Sequence, residues 1–269
     1  MQSLKGHIVV PYFFNTLSKK ALREGVLLST VFHSHLTIFG ISRDDKNREE
    51  LALITKDLLS QGISIQSFFT AKKQWKKLIH HFSSQHEVIL YVFAHDGSKT
   101  QTGISVKRQL RQLRTQRIPY VWFYHELSAH HYAKVVITVG FEPREKEKIL
   151  WATYFARRYG SSVHVVVPSV KDIFIKARVE SNLQSLNKLY SNLSISWTVH
   201  RLEVNLNHLE KEGIEFAEKI QAGCFLHVAI RNNFFNLFVY DQDLSLLKKA
   251  KHVPVLCINP RDDLYVLCQ

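Results

Sequence analysis

The segment HELSAHH, residues 125–131, gathers three imidazoles and one carboxylate into seven positions, the donor density that a zinc site needs. In a zinc-protease helix, H-E-x-x-H places two imidazoles four residues apart on one face, where both reach the same ion. Here His125 and His130 are five apart, so on a helix of 3.6 residues per turn they diverge by more than a right angle, and His131 lies farther round still. No metal site is predicted. The other doublets, His33 with His35 and His80 with His81, are read as standing at helix ends, solvated or locally hydrogen-bonded.

Nucleophilic and acid–base chemistry find less support. The chain has no G-x-S-x-G elbow, no Walker loop, and none of the H-x-G-H or S-G-G-x-D-S signatures of nucleotide-handling enzymes. Asp262 and Asp263 are adjacent, so along an extended segment their carboxylates point apart and make a poor acid/base pair. The three cysteines, Cys224, Cys257 and Cys268, are odd in number and lack metal-type spacing. They read as two buried small hydrophobes and one tail thiol. No enzyme is predicted.

Anion binding has two candidates, both in the first half. The loop HDGSKTQTGIS, His95 to Ser105, carries Gly97, Ser98, Lys99, Thr100, Thr102 and Gly103 and leads into VKRQLRQLRTQR. Small hydroxyl residues before a helix N-terminus suit a phosphate, because the first backbone N–H groups have no partner inside the helix. The helix itself, about Ser105 to Thr115, sets out Lys107, Arg108, Arg111, Arg114 and Arg117, with Leu110 and Leu113 as its inward side, and KKQWKK (Lys72 to Lys77) adds four more cations. Such a face attracts polyanions. Without interleaved aromatics or a reading motif, nucleic acid is not the predicted partner.

Composition agrees with that asymmetry. The 269 residues carry a formal charge of +13, with 18 Lys+Arg against 9 Asp+Glu over residues 1–132 and 18 against 14 over 133–269. Apolar content of 45% and charged content of 22% are those of a folded globular chain. No apolar run approaches the roughly 20 residues that span a bilayer, and MQSLKGHIVVPYFF has no signal-peptide pattern, so a cytoplasmic, membrane-free protein is expected.

What positions these groups is a repeat. HIVVPYFFNTLSKKALREGVLLSTVFHSHLTIFGIS lies over KVVITVGFEPREKEKILWATYFARRYGSSVHVVVPS without a gap at an offset of 127, pairing Val10 with Ile137, Leu22 with Ile149 and Leu28 with Phe155. VILYVFA (Val88 to Ala94) matches CFLHVAI (Cys224 to Ile230), and IPYVWF (Ile118 to Phe123) matches VPVLCI (Val253 to Ile258). Each copy alternates apolar strands with amphipathic helices: helical spacing runs through Leu17, Ala21, Leu22, Gly25, Leu28 and Phe32, then through Leu51, Ile54, Leu58 and Leu59. Strands this continuously apolar need a parallel sheet covered on both faces. The fold class is α/β, with two tandem doubly wound domains of five mostly parallel strands, over residues 1–125 and 133–269. A linker of about 126–132 joins them, and HELSAHH falls there.

The repeated β-α order, the opening strand near V-P-x-x-F, the helix ending in Gly-Ser before the next strand (YGSSVHVVV) and the closing H-x-P-V-L-C-I resemble the tandem form of the universal stress protein family over about residues 5–262. The resemblance implies an adenine nucleotide alpha hydrolase-like fold and a role in stress or growth-arrest regulation. It also implies that the two repeats pair as an intramolecular pseudo-dimer, with IPYVWF and VPVLCI as the seam; a homodimer and an unidentified protein partner are further expectations. Nucleotide-binding members carry an acidic residue after the first strand and a Gly-x2-Gly-x9-Gly-Ser/Thr loop after the fourth. Here the acidic position falls on Phe13 and Gly140, neither of which offers a side-chain acceptor. In the first copy Lys107 stands ten residues after Gly97. The second copy has RNNFFNLFVYDQDLS (Arg231 to Ser245), with no glycine and with Phe234, Phe235, Leu237, Phe238 and Val239, which reads as a packing surface. The expected function is non-catalytic regulation through protein contacts, with degenerate nucleotide sites and no cofactor. ATP held by the 95–105 loop of the first domain, or a polyanion held by helix 105–117, are the alternatives.

Overall fold

The structure, a computed structural model, describes residues 6–114, 118–124, 132–142, 145–229 and 244–259, and the side chains of Lys76 and Arg114 fall outside that description. The chain divides into two compact units, Met1–Gln109 with Ile118–Trp122, and Leu110–Arg117 with Phe123–Gln269. All of the expected linker but Tyr132 lies outside the described residues.

The first sheet is built from β1 (His7–Tyr12), α1 (Thr16–Phe32), β2 (His35–Ile41), α2 (Asp45–Ser60), β3 (Ile65–Thr70), α3 (Trp75–Gln85), β4 (Val88–Ala94), α4 (Val106–Arg114) and β5 (Tyr120–Phe123), in strand order β3-β2-β1-β4-β5. Strand β1 pairs in parallel with β2 and β4, and β2 with β3. The second is built from β6 (Lys134–Thr138), α5 (Glu145–Tyr159), β7 (Ser162–Pro168), α6 (Ile173–Asn192), β8 (Trp197–Leu202), a 3-10 turn (Leu206–His208), α7 (Leu209–Lys219), β9 (Cys224–Val228), α8 (244–249) and β10 (Val255–Ile258). Its order is β10-β9-β6-β7-β8, again with parallel ladders. The α/β, doubly wound expectation of five mostly parallel strands per copy is met in both.

Local chemistry explains where the elements start and stop. Asn15 opens α1 by accepting from Ser18 N at 2.8 Å, Asp44 opens α2 through Lys46 N, and Asp172 opens α6 through Ile175 N at 2.9 Å. His33 ends α1 in the left-handed region, φ 50°, with its N–H on the last carbonyls and Ser34 N on Ser29 O at 2.9 Å. Gly25 lets α1 lie close on β1, since a Cβ there would stand 2.5 Å from Val10 Cγ2. Gly213 does the same for α7, where a Cβ would collide with Thr138 and Phe225.

The central strands are sealed: Ile8, Val9, Val10, Leu36, Ile38 and Leu90 in the first unit, and Val135, Val136, Ile137, Val163, Val165 and Leu226 in the second, are fully buried. Cys224 and Cys257 are core residues, as expected, and Cys268 lies outside the described residues. Two expectations are corrected. Leu59 is 53% exposed, because it lies one step past Leu58 on α2, beyond the stripe that covers the sheet. His35 opens β2, stacked on His7 at 5.1 Å, and His80 and His81 lie inside α3, exposed; only His33 stands at a helix end.

Candidate functional site at the strand switch points

In each unit the first strand lies between the second and the fourth, so the connections leave in opposite directions and open a crevice at the carboxyl ends of β1 and β4, or of β6 and β9. Ligands of doubly wound folds bind there.

In the second unit that place is filled by charge. Thr138 ends β6, His227 lies on β9, Glu145 opens α5 with Lys148 one turn on, and Glu210 stands in the first turn of α7. Lys148, 2% exposed, donates to Thr138 Oγ1 at 2.7 Å and Glu210 Oε1 at 2.9 Å, and pairs with Glu145 Oε2 at 2.6 Å. The Thr138 hydroxyl donates to Glu210, and His227 Nδ1 meets Glu210 Oε2 at 2.9 Å. Burial pushes the Glu145 carboxyl up, with Lys148 opposing and Glu210 adding to the rise. Burial also works against the Lys148 ammonium, but Glu145 and Glu210 outweigh it and hold its pKa above the ordinary value. Glu210 goes the other way: against burial, Lys148, His227 and Thr138 hold it well below the usual carboxylate range. Gly140, where the sequence lacks an acid, has Glu145 Oε1 3.3 Å from the position a Cβ would take. A carboxylate has therefore come to this spot from the next helix rather than from the strand end.

In the first unit the same place is filled by neutral groups. Offset by 127, Thr138, Glu145 and Lys148 become Pro11, Ser18 and Ala21, and in the match of VILYVFA with CFLHVAI His227 becomes Tyr91. Phe13 sets its edge on Trp75 at 5.6 Å. The fully buried Gln101 accepts from Ala94 N at 2.9 Å, donates to Val92 O at 3.1 Å, and offers its own carbonyl to Asn15 Nδ2 at 2.8 Å. The loop after β4 is thereby stitched to the turn after β1.

The candidate anion residues do not converge on one point. Gly97, Ser98, Lys99 and Gly103 are exposed, whereas Thr100 and Thr102 are 2% exposed, bonded to each other at 2.7 Å, with Thr102 donating to Gln109 at 3.0 Å. The N–H groups of Ser98 and Lys99 point at Asp96 Oδ1, at 2.9 and 2.7 Å, and hold that carboxyl down to about 2. Val106 N at the start of α4 is taken by Ser98 O. On α4, Lys107, Arg108 and Arg111 are exposed opposite the buried Val106, Leu110 and Leu113. The Arg114 side chain, Arg117, HELSAHH, residues 231–243 of the aromatic loop and the 260–269 tail lie outside the described residues. Among the described residues no group of three or more His, Cys, Asp or Glu could hold a metal ion.

Sequence reading missed Glu145, Lys148, Glu210, Thr138 and His227. One signal was present: Lys148, Ala152 and Phe155 share a helical stripe, and a lysine on the inward stripe demands a buried acid.

No family model matches the sequence, and no curated protein matches it. Solved structures do. A universal stress protein of Archaeoglobus fulgidus DSM 4304 superposes with TM-score 0.65 at 15% identity, over 97% of this chain and 98% of that one. A functionally unknown protein of Pseudomonas aeruginosa PAO1 gives 0.69 at 14% over 98% and 95%, and a candidate universal stress protein of Pseudomonas aeruginosa UCBPP-PA14 gives 0.69 at 15% over 98% and 96%. Both units are spanned in each case, so the chain has the tandem universal stress protein fold.

Proposed function

We propose that the chain is a universal stress protein that regulates through protein contacts, without turnover and without a bound nucleotide. The observation that carries this reading is that both switch points are occupied from within, by the Lys148 network in one unit and by Gln101 in the other. A nucleotide entering the second unit would have to displace a buried ammonium from two carboxylates, and breaking such a pair costs about 3–5 kcal/mol. In the first unit, Asp96 holds the backbone donors of the loop that a phosphate would need.

The test is a thermal shift of the whole chain with ATP, ADP and AMP plus magnesium. No shift at millimolar nucleotide is expected. A ligand at 100 times its dissociation constant adds about 2.7 kcal/mol, and a shift of that order would overturn the reading in favour of a nucleotide sensor.

A second reading rests on the exposed Lys107, Arg108 and Arg111 stripe, which suits a polyanion. It requires binding of heparin or oligonucleotide that weakens steeply with salt and is lost in Arg111→Glu.

A further inference from the structure

Away from the switch point, the second unit carries a cavity of about 330 Å³ at the carboxyl ends of β7 and β8. Its wall comes from the β7–α6 turn (Pro168, Ser169, Val170), from α6 (Lys176, Val179, Glu180) and from Arg201 on β8. The size is that of a small-molecule site. We infer that this cavity binds a small amphipathic organic anion, its carboxylate or phosphate held between Lys176 and Arg201 and its apolar part laid against Val170, Val179 and Ile173.

Three observations meet there. The Lys176 ammonium has no hydrogen-bond or ion-pair partner among the described residues, although it lines the cavity beside a second cation. Arg201 gives one amino group to Glu180 at 3.0 Å, which fixes the guanidinium at the rim and leaves its other N–H donors to a ligand. Glu180 is thereby neutralised, so two cations face the cavity against one paired carboxylate. Ile173 and Phe174 are 79% and 82% exposed, the highest values among the exposed large hydrophobic side chains of the described residues. Ile173 shares a helical stripe with Lys176 and Glu180, at i, i+3 and i+7, so an exposed apolar side chain lies one turn before Lys176 on the helix that lines the cavity. A wholly polar ligand would leave that edge wet. A neutral one would leave Lys176 unmatched.

The experiment is titration calorimetry of the full chain with octanoate, octyl phosphate, inorganic phosphate and octanol. The two amphipathic anions are expected to saturate one site, and whichever binds tighter identifies a carboxylate or a phosphate head. Inorganic phosphate and octanol should each bind at least about tenfold more weakly, since a charged hydrogen bond or a buried apolar tail contributes on that scale. Lys176→Met, which removes no hydrogen bond or ion pair of the ammonium among the described residues, and Arg201→Met should each weaken the better amphiphile about tenfold or more. Lys107→Met on α4 should leave it unchanged. Absence of saturation by both amphiphiles, equal binding of octanol, equal binding of inorganic phosphate, or full affinity in both variants would each overturn the proposal. None of these outcomes bears on the switch points, so the reading of those sites stands or falls separately.

Discussion

The two units place different chemistry at the same point of one topology. At the carboxyl ends of β6 and β9 a buried lysine is shared by Glu145 and Glu210, with Thr138 and His227 completing the bonds. At the ends of β1 and β4 the positions are Pro11, Ser18, Ala21 and Tyr91, and a neutral amide, Gln101, closes the gap. The topology makes the crevice. It does not choose what fills it, so one unit uses Coulomb attraction at low dielectric and the other uses backbone hydrogen bonds. These fail differently: an ion network loses most when one charge is removed, an amide plug when a buried donor and acceptor are left bare.

That contrast can be broken most directly at Lys148. Lys148→Met leaves two carboxylates facing each other, and a loss of about 3–5 kcal/mol is expected in urea denaturation of the whole chain. Gln101→Leu strips partners from Ala94 N–H and Val92 C=O, with an expected loss of about 2–3 kcal/mol. A larger loss for Gln101→Leu than for Lys148→Met would reverse the contrast.

Buried acids sharpen it further. Burial alone pushes the Glu24 carboxyl of α1 up to about 8, whereas Glu210 of α7 is held low by Lys148, His227 and Thr138. For Glu24 the folded value lies above the ordinary 4.5, so its contribution to stability is complete below about pH 4.5 and is lost as pH rises through 8. Glu24→Gln should therefore stabilise the chain at pH 8 by about 1–3 kcal/mol and have little effect at pH 4. Denaturation at both pH values checks this, and equal effects at the two would refute it. For Glu210 the sign is opposite: its contribution is complete above about pH 4.5 and is lost on acidification.

The smallest effect belongs to the exposed loop. Asp96 stands at about 2, below the ordinary 3.8, so its contribution disappears only as pH falls through that window. At pH 7, Asp96→Asn should cost about 0.5 kcal/mol, as for an exposed cap, and a loss above about 2 kcal/mol would mean that the turn held by Asp96, rather than Gln101, closes the first unit.

Much of this was legible in order and spacing. The 127-residue offset carries the shared strands and helices because burial on a parallel sheet imposes the same apolar rhythm on both copies, even where Leu28 in one corresponds to Phe155 in the other. The helix α5 forms over Glu145–Tyr159, where acids favour its first turn and arginines its last, a bias readable along the chain. Leu59 was misplaced because a helical stripe has a width that spacing alone does not set. The switch-point network was harder to see. Glu145 and Lys148 are three apart, but Glu210 and His227 lie 62 and more residues farther on, and nothing local says that they meet.

The sequence by itself determined the alternation of strands and helices, the doubling of the unit, and the absence of a side-chain acceptor at Phe13 and Gly140, because periodicity and residue type are local properties of the chain. Only the tertiary structure decided which groups gather beside Gly140. Lys148 finds Glu210 and Thr138 because parallel strands bring β6 and β9 side by side and α5 and α7 over their ends, and the meaning of a buried charge depends on partners that only that packing supplies.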